Sequence, residues 1–81
     1  MDVACLRRLL DAQDIDPRAY SLDGCAPSEA YVLERRSDGW SVFYAERGLR
    51  TAEARFDSED AACAHLLELL LRDPSTRRPE A

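Results

Sequence analysis

Lysine and asparagine are absent from this chain, so all eleven of its basic residues are arginine. With abundant alanine, leucine, aspartate and glutamate, that bias is what a GC-rich bacterial genome tends to produce, a statement about codons before it is one about function. Histidine occurs once, as His65. No cysteine or serine therefore has a second histidine to pair with, and a nucleophile needs a base that is itself oriented. Cysteine is scarce and odd in number: Cys5, Cys25 and Cys63 lie 20 and 38 residues apart. Without a C-x-x-C pair, that spacing argues against both a disulfide framework and a zinc site. Gly24, Gly39 and Gly48 stand alone, so no glycine-rich loop cradles a phosphate. No apolar run approaches the roughly 18 residues of a membrane span, and Met1 is followed by Asp2 rather than a basic segment. Secretory and transmembrane readings therefore fail, and the chain is expected in the cytoplasm, without cofactor or metal and without catalytic residues.

What is present suits a small folded domain. Eighty-one residues with 46% hydrophobic content form one domain that buries roughly 60% of its unfolded surface, with no need of metals or disulfides. We expect a single domain over residues 1–73 and a polar C-terminal tail over 74–81. The net charge is −5, and no basic run exceeds two residues. A phosphate backbone is bound by clustered cations, so direct nucleic-acid binding is disfavoured. A basic protein partner is easier to accommodate, because opposite potentials steer encounter.

Asp2 is placed to cap a first helix over about Val3 to Gln13, with Val3, Leu6, Leu9 and Leu10 on its apolar stripe. Asp16-Pro17 is expected to end it, with Ile15 folding back as a hydrophobic plug. Arg18–Leu22 reads as a short edge strand and Asp23–Pro27 as a loop. Ser28–Arg36 reads as a strand with Tyr31, Leu33 and Arg35 on one face. Ser37-Asp38-Gly39 is a hairpin turn leading into Trp40–Glu46. There Trp40, Val42 and Tyr44 share one face, and Ser41, Phe43 and Ala45 the other. Arg47-Gly48 turns the chain into Leu49–Phe56, where Thr51, Glu53 and Arg55 alternate with Ala52, Ala54 and Phe56. Asp57 or Ser58 caps a final helix over Ala61–Arg72, striped by Ala62, Leu66, Leu69 and Leu70 and widened by Cys63 and Leu67. Asp73-Pro74 stops it. The fold class is α+β: a small three- to four-stranded antiparallel meander with an N-terminal and a C-terminal helix packed on it. Cys5 and Cys63 fall in helices and read as small buried thiols. His65 reads as a helix-flank residue. Glu29, Glu34, Glu46 and Glu53, spread along strands and flanked by arginines, read as a solvated face with ion pairs worth under about 1 kcal/mol each.

The aromatic surface is in excess. A sheet covered by helices on one side needs one apolar face, yet Trp40, Val42 and Tyr44 occupy one and Phe43 and Ala45 the other. Either the helices cover both sides, or one aromatic face is left for another protein. Equally, Tyr31 and Tyr44 can line the core with their hydroxyls at its rim.

Tyr20-Ser21-Leu22, Glu29–Glu34, Gly39–Gly48 and Phe56–Cys63, in that order and spacing, resemble the small bacterial immunity proteins encoded beside polymorphic toxins. The resemblance covers about Leu6 to Pro74, and its most specific piece is the strand that ends in Glu46-Arg47-Gly48. It implies a non-enzymatic inhibitor that binds a cognate toxin and occludes its active site or an essential surface. Glu29, Glu34 and Glu46 would then meet a basic toxin surface. Trp40 or Tyr44, with Tyr31 nearby, would supply a desolvated anchor, and Arg47 would pair with Glu46 or with the partner. The alternative is a structural or regulatory module without catalytic activity, a homodimer formed through the sheet's exposed face or edge.

Overall fold

The computed structural model describes residues 1–25 and 29–78. The expected loop at Asp23–Pro27 and the start of the strand at Ser28 lie in part outside them, as do residues 79–81. Two α-helices, α1 (Val3–Ala12) and α2 (Glu59–Arg72), pack on a sheet of four strands, β1 (Tyr20–Ser21), β2 (Ala30–Arg36), β3 (Gly39–Glu46) and β4 (Leu49–Phe56). The strand order is β1-β2-β3-β4. The expected antiparallel meander accounts for β2, β3 and β4, but β1 runs parallel to β2, with Tyr20 beside Tyr31 and Ser21 beside Val32. The sheet is therefore mixed. A two-residue strand carries too little side-chain pattern to announce its direction, which is set by where the chain re-enters the sheet.

Asp2 caps α1 as expected, its carboxylate accepting the Cys5 N–H at 2.8 Å. Proline does not end this helix. Asp14 turns left-handed at φ 57°, its N–H donates to the Asp11 carbonyl, and the Ile15 N–H donates to the Leu10 carbonyl at 3.0 Å. This is a Schellman closure, with aspartate in the place glycine usually takes. It turns Ile15 inward to join Leu10 in the core, both fully buried. Ser58 caps α2 by accepting the Ala61 N–H, and Glu59 and Asp60 occupy the positive end of that helix's dipole. Glu59 also accepts the Val3 N–H at 2.8 Å, so a carboxylate in the first turn of α2 satisfies an amide at the start of α1.

Both helices lie on the same face of the sheet. Leu6, Leu10, Ile15, Leu66 and Leu70 meet Leu33 and Val42 there in one cluster, flanked by Tyr31, Trp40 and Phe56. Burying each such leucine contributes roughly 1.5–3 kcal/mol. Cys63 is buried within this cluster, whereas Cys5 is exposed. The expectation of two buried helical thiols holds for Cys63 and fails for Cys5, which sits one step off the Leu6–Leu10 stripe. Burial pushes the Cys63 thiol up to about 11.

Among the described residues no helix covers the opposite face, yet Phe43 is only 2% exposed. A β-bulge explains how. Val42 pairs with Ala54 and Tyr44 with Thr51, so Ala52 and Glu53 together oppose Phe43. Ala52 takes φ 55° to make the bulge, the left-handed conformation that glycine adopts more readily. Past this point the alternation expected for β4 reverses. Thr51 joins the helix face, while Arg50 comes to the open face opposite Ala45. Arg50 lies 4.3 Å over the Phe43 ring and forks both oxygens of Glu34 at 3.1 Å. Arg36 donates to the same carboxylate at 3.0 Å, and the buried Ser41 hydroxyl donates to Glu53 at 2.6 Å. Ion pairs, not a helix, close this face.

The turns follow their residues. Arg47 at φ 50° and Gly48 at φ 80° form a two-residue loop between β3 and β4. Gly39, at φ 140°, lies where an added Cβ would come within 2.6 Å of the Phe56 carbonyl oxygen. The expected polar tail also proves folded through residue 78. Pro74–Thr76 forms a 3-10 turn, and the buried Thr76 hydroxyl donates to the Leu70 carbonyl at 2.7 Å. The strap that follows pairs with the end of α1, Asp16 N–H to Thr76 carbonyl at 2.7 Å and Arg78 N–H to Asp14 carbonyl at 2.8 Å.

Replacing Ala52 with glycine should raise stability by about 0.5–1 kcal/mol, the left-handed penalty of alanine less the entropy glycine loses on folding. Gly39→Ala should instead cost about 2 kcal/mol or more, from the φ and the backbone clash together. Denaturant midpoints measure both, and a destabilising Ala52→Gly would contradict the bulge. A thiol reagent should label Cys5 and Cys25 in the native protein and reach Cys63 only on unfolding.

Candidate functional site

Two Asp-Pro turns stand side by side at one end of the sheet and form the walls of a cleft. In the first, the Asp16 carboxylate accepts the Arg18 N–H at 2.9 Å across Pro17. In the second, the Asp73 carboxylate accepts the Ser75 N–H at 3.0 Å across Pro74. Proline at the first position of each turn presets φ and removes an amide that would lack a partner. The hydrogen bond from Asp16 N–H to the Thr76 carbonyl joins the two turns.

The floor comes from the sheet. Tyr31 of β2 and Tyr44 of β3 are cross-strand partners, with ring centroids 4.9 Å apart in an edge-on arrangement. The Tyr31 hydroxyl donates to Asp73 at 3.0 Å, tying the strap to the sheet. Glu29 closes one side, its N–H donating to the Ala45 carbonyl at 2.7 Å and its φ at 62°. The open cleft between them has a volume of about 440 Å³.

Electrostatically this cleft is acidic. Among the described residues Asp16, Glu29 and Asp73 line it with a single cation, Arg18, whose side chain is 83% exposed and paired to Asp16 at 3.0 Å. The Ser75 hydroxyl and N–H, followed by the Tyr31 hydroxyl, hold Asp73 below the usual carboxylate range. Arg18 does the same for Asp16. Burial raises the Tyr31 phenol, with Asp73 adding to the rise. Burial also raises Tyr44, followed by the charges of Glu29 and Glu46. Among the described residues no group of three His, Cys, Asp or Glu side chains is placed to hold a metal ion, and no helix is long and apolar enough to cross a membrane.

Of the residues singled out from the sequence, Glu29, Tyr31 and Tyr44 line the cleft, and Glu46 acts on it through its charge on Tyr44. Arg47 sits in the adjoining turn, exposed, and has no ion-pair partner among the described residues. Glu34 lies on the opposite face inside the arginine fork, which lowers its pKa through Arg50 first and Arg36 second. Trp40 is at the far end of β3, half-buried beside the core under the Arg35 guanidinium at 5.8 Å. Four residues along a strand separate it from Tyr44 by roughly 13 Å. His65 packs beside Phe56, ring centroids 5.1 Å apart, away from the cleft. Reading the sequence missed Asp16, Arg18, Asp73 and Ser75. The signal was present in two Asp-Pro steps, which were read only as helix stops.

The depressed carboxylates contribute stability that is full above their unfolded range, near about pH 4, and is lost as pH falls through their lower folded values. The raised phenols contribute stability that is full below about pH 10 and is lost as pH rises through their folded values. Stability should thus fall on both acidification and strong alkalinisation. Glu34→Gln should flatten the acid limb of a denaturation-versus-pH series, and phenolate absorbance should show Tyr31 and Tyr44 titrating late.

Comparison of the chain with protein-family models, with curated proteins and with solved structures finds no match in any of the three.

Proposed function

We propose that this chain is a non-catalytic immunity protein, which binds a cognate bacterial toxin in the cytoplasm and occludes its active site or a surface it needs. The observation that carries this reading is the acidic cleft floored by Tyr31 and Tyr44, where three carboxylates are set against one arginine. Such a surface is complementary to a basic one, and toxins that act on nucleic acids present basic active sites. Glu46, just before the Arg47-Gly48 turn, extends the acidic end of the sheet beside the cleft, within reach of the same partner. Glu34 and Trp40, which the resemblance also implied as contacts, belong in this proposal to the folding of the sheet.

A second reading is a homodimeric structural or regulatory module. What favours it is the edge of β4, an eight-residue strand that among the described residues pairs only with β3. The bulge at Ala52 and the arginines on this strand oppose it, since both are devices that discourage edge-to-edge pairing.

Co-expression with the adjacent gene tests the first reading. Cells should survive the neighbour's product only when this chain is present, and the two should co-purify. A harmless neighbour, or toxicity that persists on co-expression, would sink it. Reversing charge at Glu29 and Glu46 to lysine should slow association by about tenfold or more at low salt, with the effect shrinking as salt rises. A monomer-to-dimer shift in light scattering, unaffected by those changes, would favour the second reading.

A further inference from the structure

Within the cleft the polar groups are unequally engaged. Both oxygens of Asp73 are taken, one by the Ser75 N–H and hydroxyl and the other by the Tyr31 hydroxyl. Asp16 is held by its own bidentate contact with Arg18. Glu29 differs: among the described residues its carboxylate has no hydrogen bond or ion pair, and it stands at the rim on a backbone held at φ 62°. A left-handed non-glycine residue costs of order 1–3 kcal/mol, and such outliers cluster at ligand clamps. Beside it the Tyr44 hydroxyl likewise has no protein partner among the described residues, and Tyr31 meets Tyr44 edge-on at 62°. An aromatic ring, an unpaired carboxylate and a cavity of about 440 Å³ therefore meet at one place.

We propose that this cleft seats the guanidinium of a single arginine side chain from the partner protein, stacked on Tyr44 and paired with Glu29. The inference rests on the reading of the chain as a toxin-binding protein and names what its cleft recognises. Arginine fits better than lysine for three reasons. Its planar head stacks on an aromatic ring, its fork matches a carboxylate with two parallel bonds, and it is more weakly hydrated than an ammonium. A divalent metal does not fit, because the carboxylates are not grouped to hold one. An anion would meet three carboxylates.

Titration of the isolated protein with Nα-acetyl-arginine amide, followed by backbone amide NMR, tests this without the partner. The expected result is a weak, saturable shift centred on Glu29, Tyr31 and Tyr44. Nα-acetyl-lysine amide should bind less tightly, and sodium chloride at matched ionic strength should not reproduce the pattern. Glu29→Gln should weaken binding by up to about fivefold, the ceiling for one exposed ion pair. Tyr44→Phe, which keeps the ring, should bind nearly as well as the parent, and Tyr44→Leu should not. Glu68→Gln, on the exposed side of α2, should change nothing. The same spectra show whether each variant is folded, so a failure of Tyr44→Leu to fold leaves Glu29→Gln to decide. Equal binding of the lysine probe, shifts scattered over the surface, or none at the tyrosines would overturn the proposal. So would concentration-dependent shifts at the cleft without any probe, since the occupant would then be an arginine of a second copy. Arginine binding alongside a harmless neighbouring gene product would leave the cleft standing and remove the toxin. Inhibition of a toxin with no arginine binding would do the reverse.

Discussion

The bidentate contact between Arg50 and Glu34 above Phe43 is the constraint on which this fold turns. Both helices press on one face of the sheet, so nothing helical keeps the other face dry, and Phe43 would otherwise be open to water. The fork reaches across β3 from β4 to β2 and lays a guanidinium plane on the ring. That arrangement combines burial, cation–π attraction and a charge-assisted hydrogen-bond pair in one side chain. It is possible only because the bulge at Ala52 brings Arg50 to the open face. One residue in an unfavourable backbone conformation thereby determines the side of the sheet on which Leu49, Arg50 and Thr51 lie.

The helical face uses a different chemistry. Leucines from α1 and α2 make the interior, and carboxylates fasten the ends of the elements to one another. Glu59 joins the starts of both helices. Asp73 caps the strap's turn and receives the Tyr31 hydroxyl from the sheet. The strap in turn pairs with the residues that follow α1. Segments from the beginning, middle and end of the chain therefore converge on one end of the sheet. The cleft is the space left between two proline turns and a pair of tyrosines. Its acidity follows from construction, because aspartate is the residue that caps such turns and two of them stand together here. The proposed partner interaction uses what this framework leaves over, the Glu29 carboxylate and the exposed part of Tyr44.

Much of this was legible in advance. The alternation in β2 and β3 was strict enough to assign every face correctly, and Asp2, the Asp57-Ser58 step and Gly48 announced their caps and turn, the cap at Asp57-Ser58 falling to Ser58. The aromatic surplus on two faces was also visible, and it resolved into two outcomes: Tyr31 and Tyr44 at a cleft, and Phe43 beneath ions. Four things were not legible. The parallel direction of β1 depends on a return path that two residues do not encode. The bulge inverts β4 without any glycine to signal it, since alanine sits in the left-handed position. The Schellman closure of α1 uses aspartate where glycine is the usual marker. The C-terminal strap looked like solvent-exposed tail because its one buried side chain, Thr76, is polar and is satisfied by the Leu70 carbonyl.

The sequence by itself determined the elements, because hydrophobic period, capping residues and turn glycines act over a few neighbouring positions. It determined the net acidity for the same reason, as that is a matter of which side chains exist. Tertiary structure alone decided which of those side chains meet. Tyr31 reaches Asp73 across 42 residues and Asp16 reaches Thr76 across sixty, distances over which no local pattern carries information. Register, bulge and strap are settled by packing of the whole chain, and the cleft exists only once all three are in place.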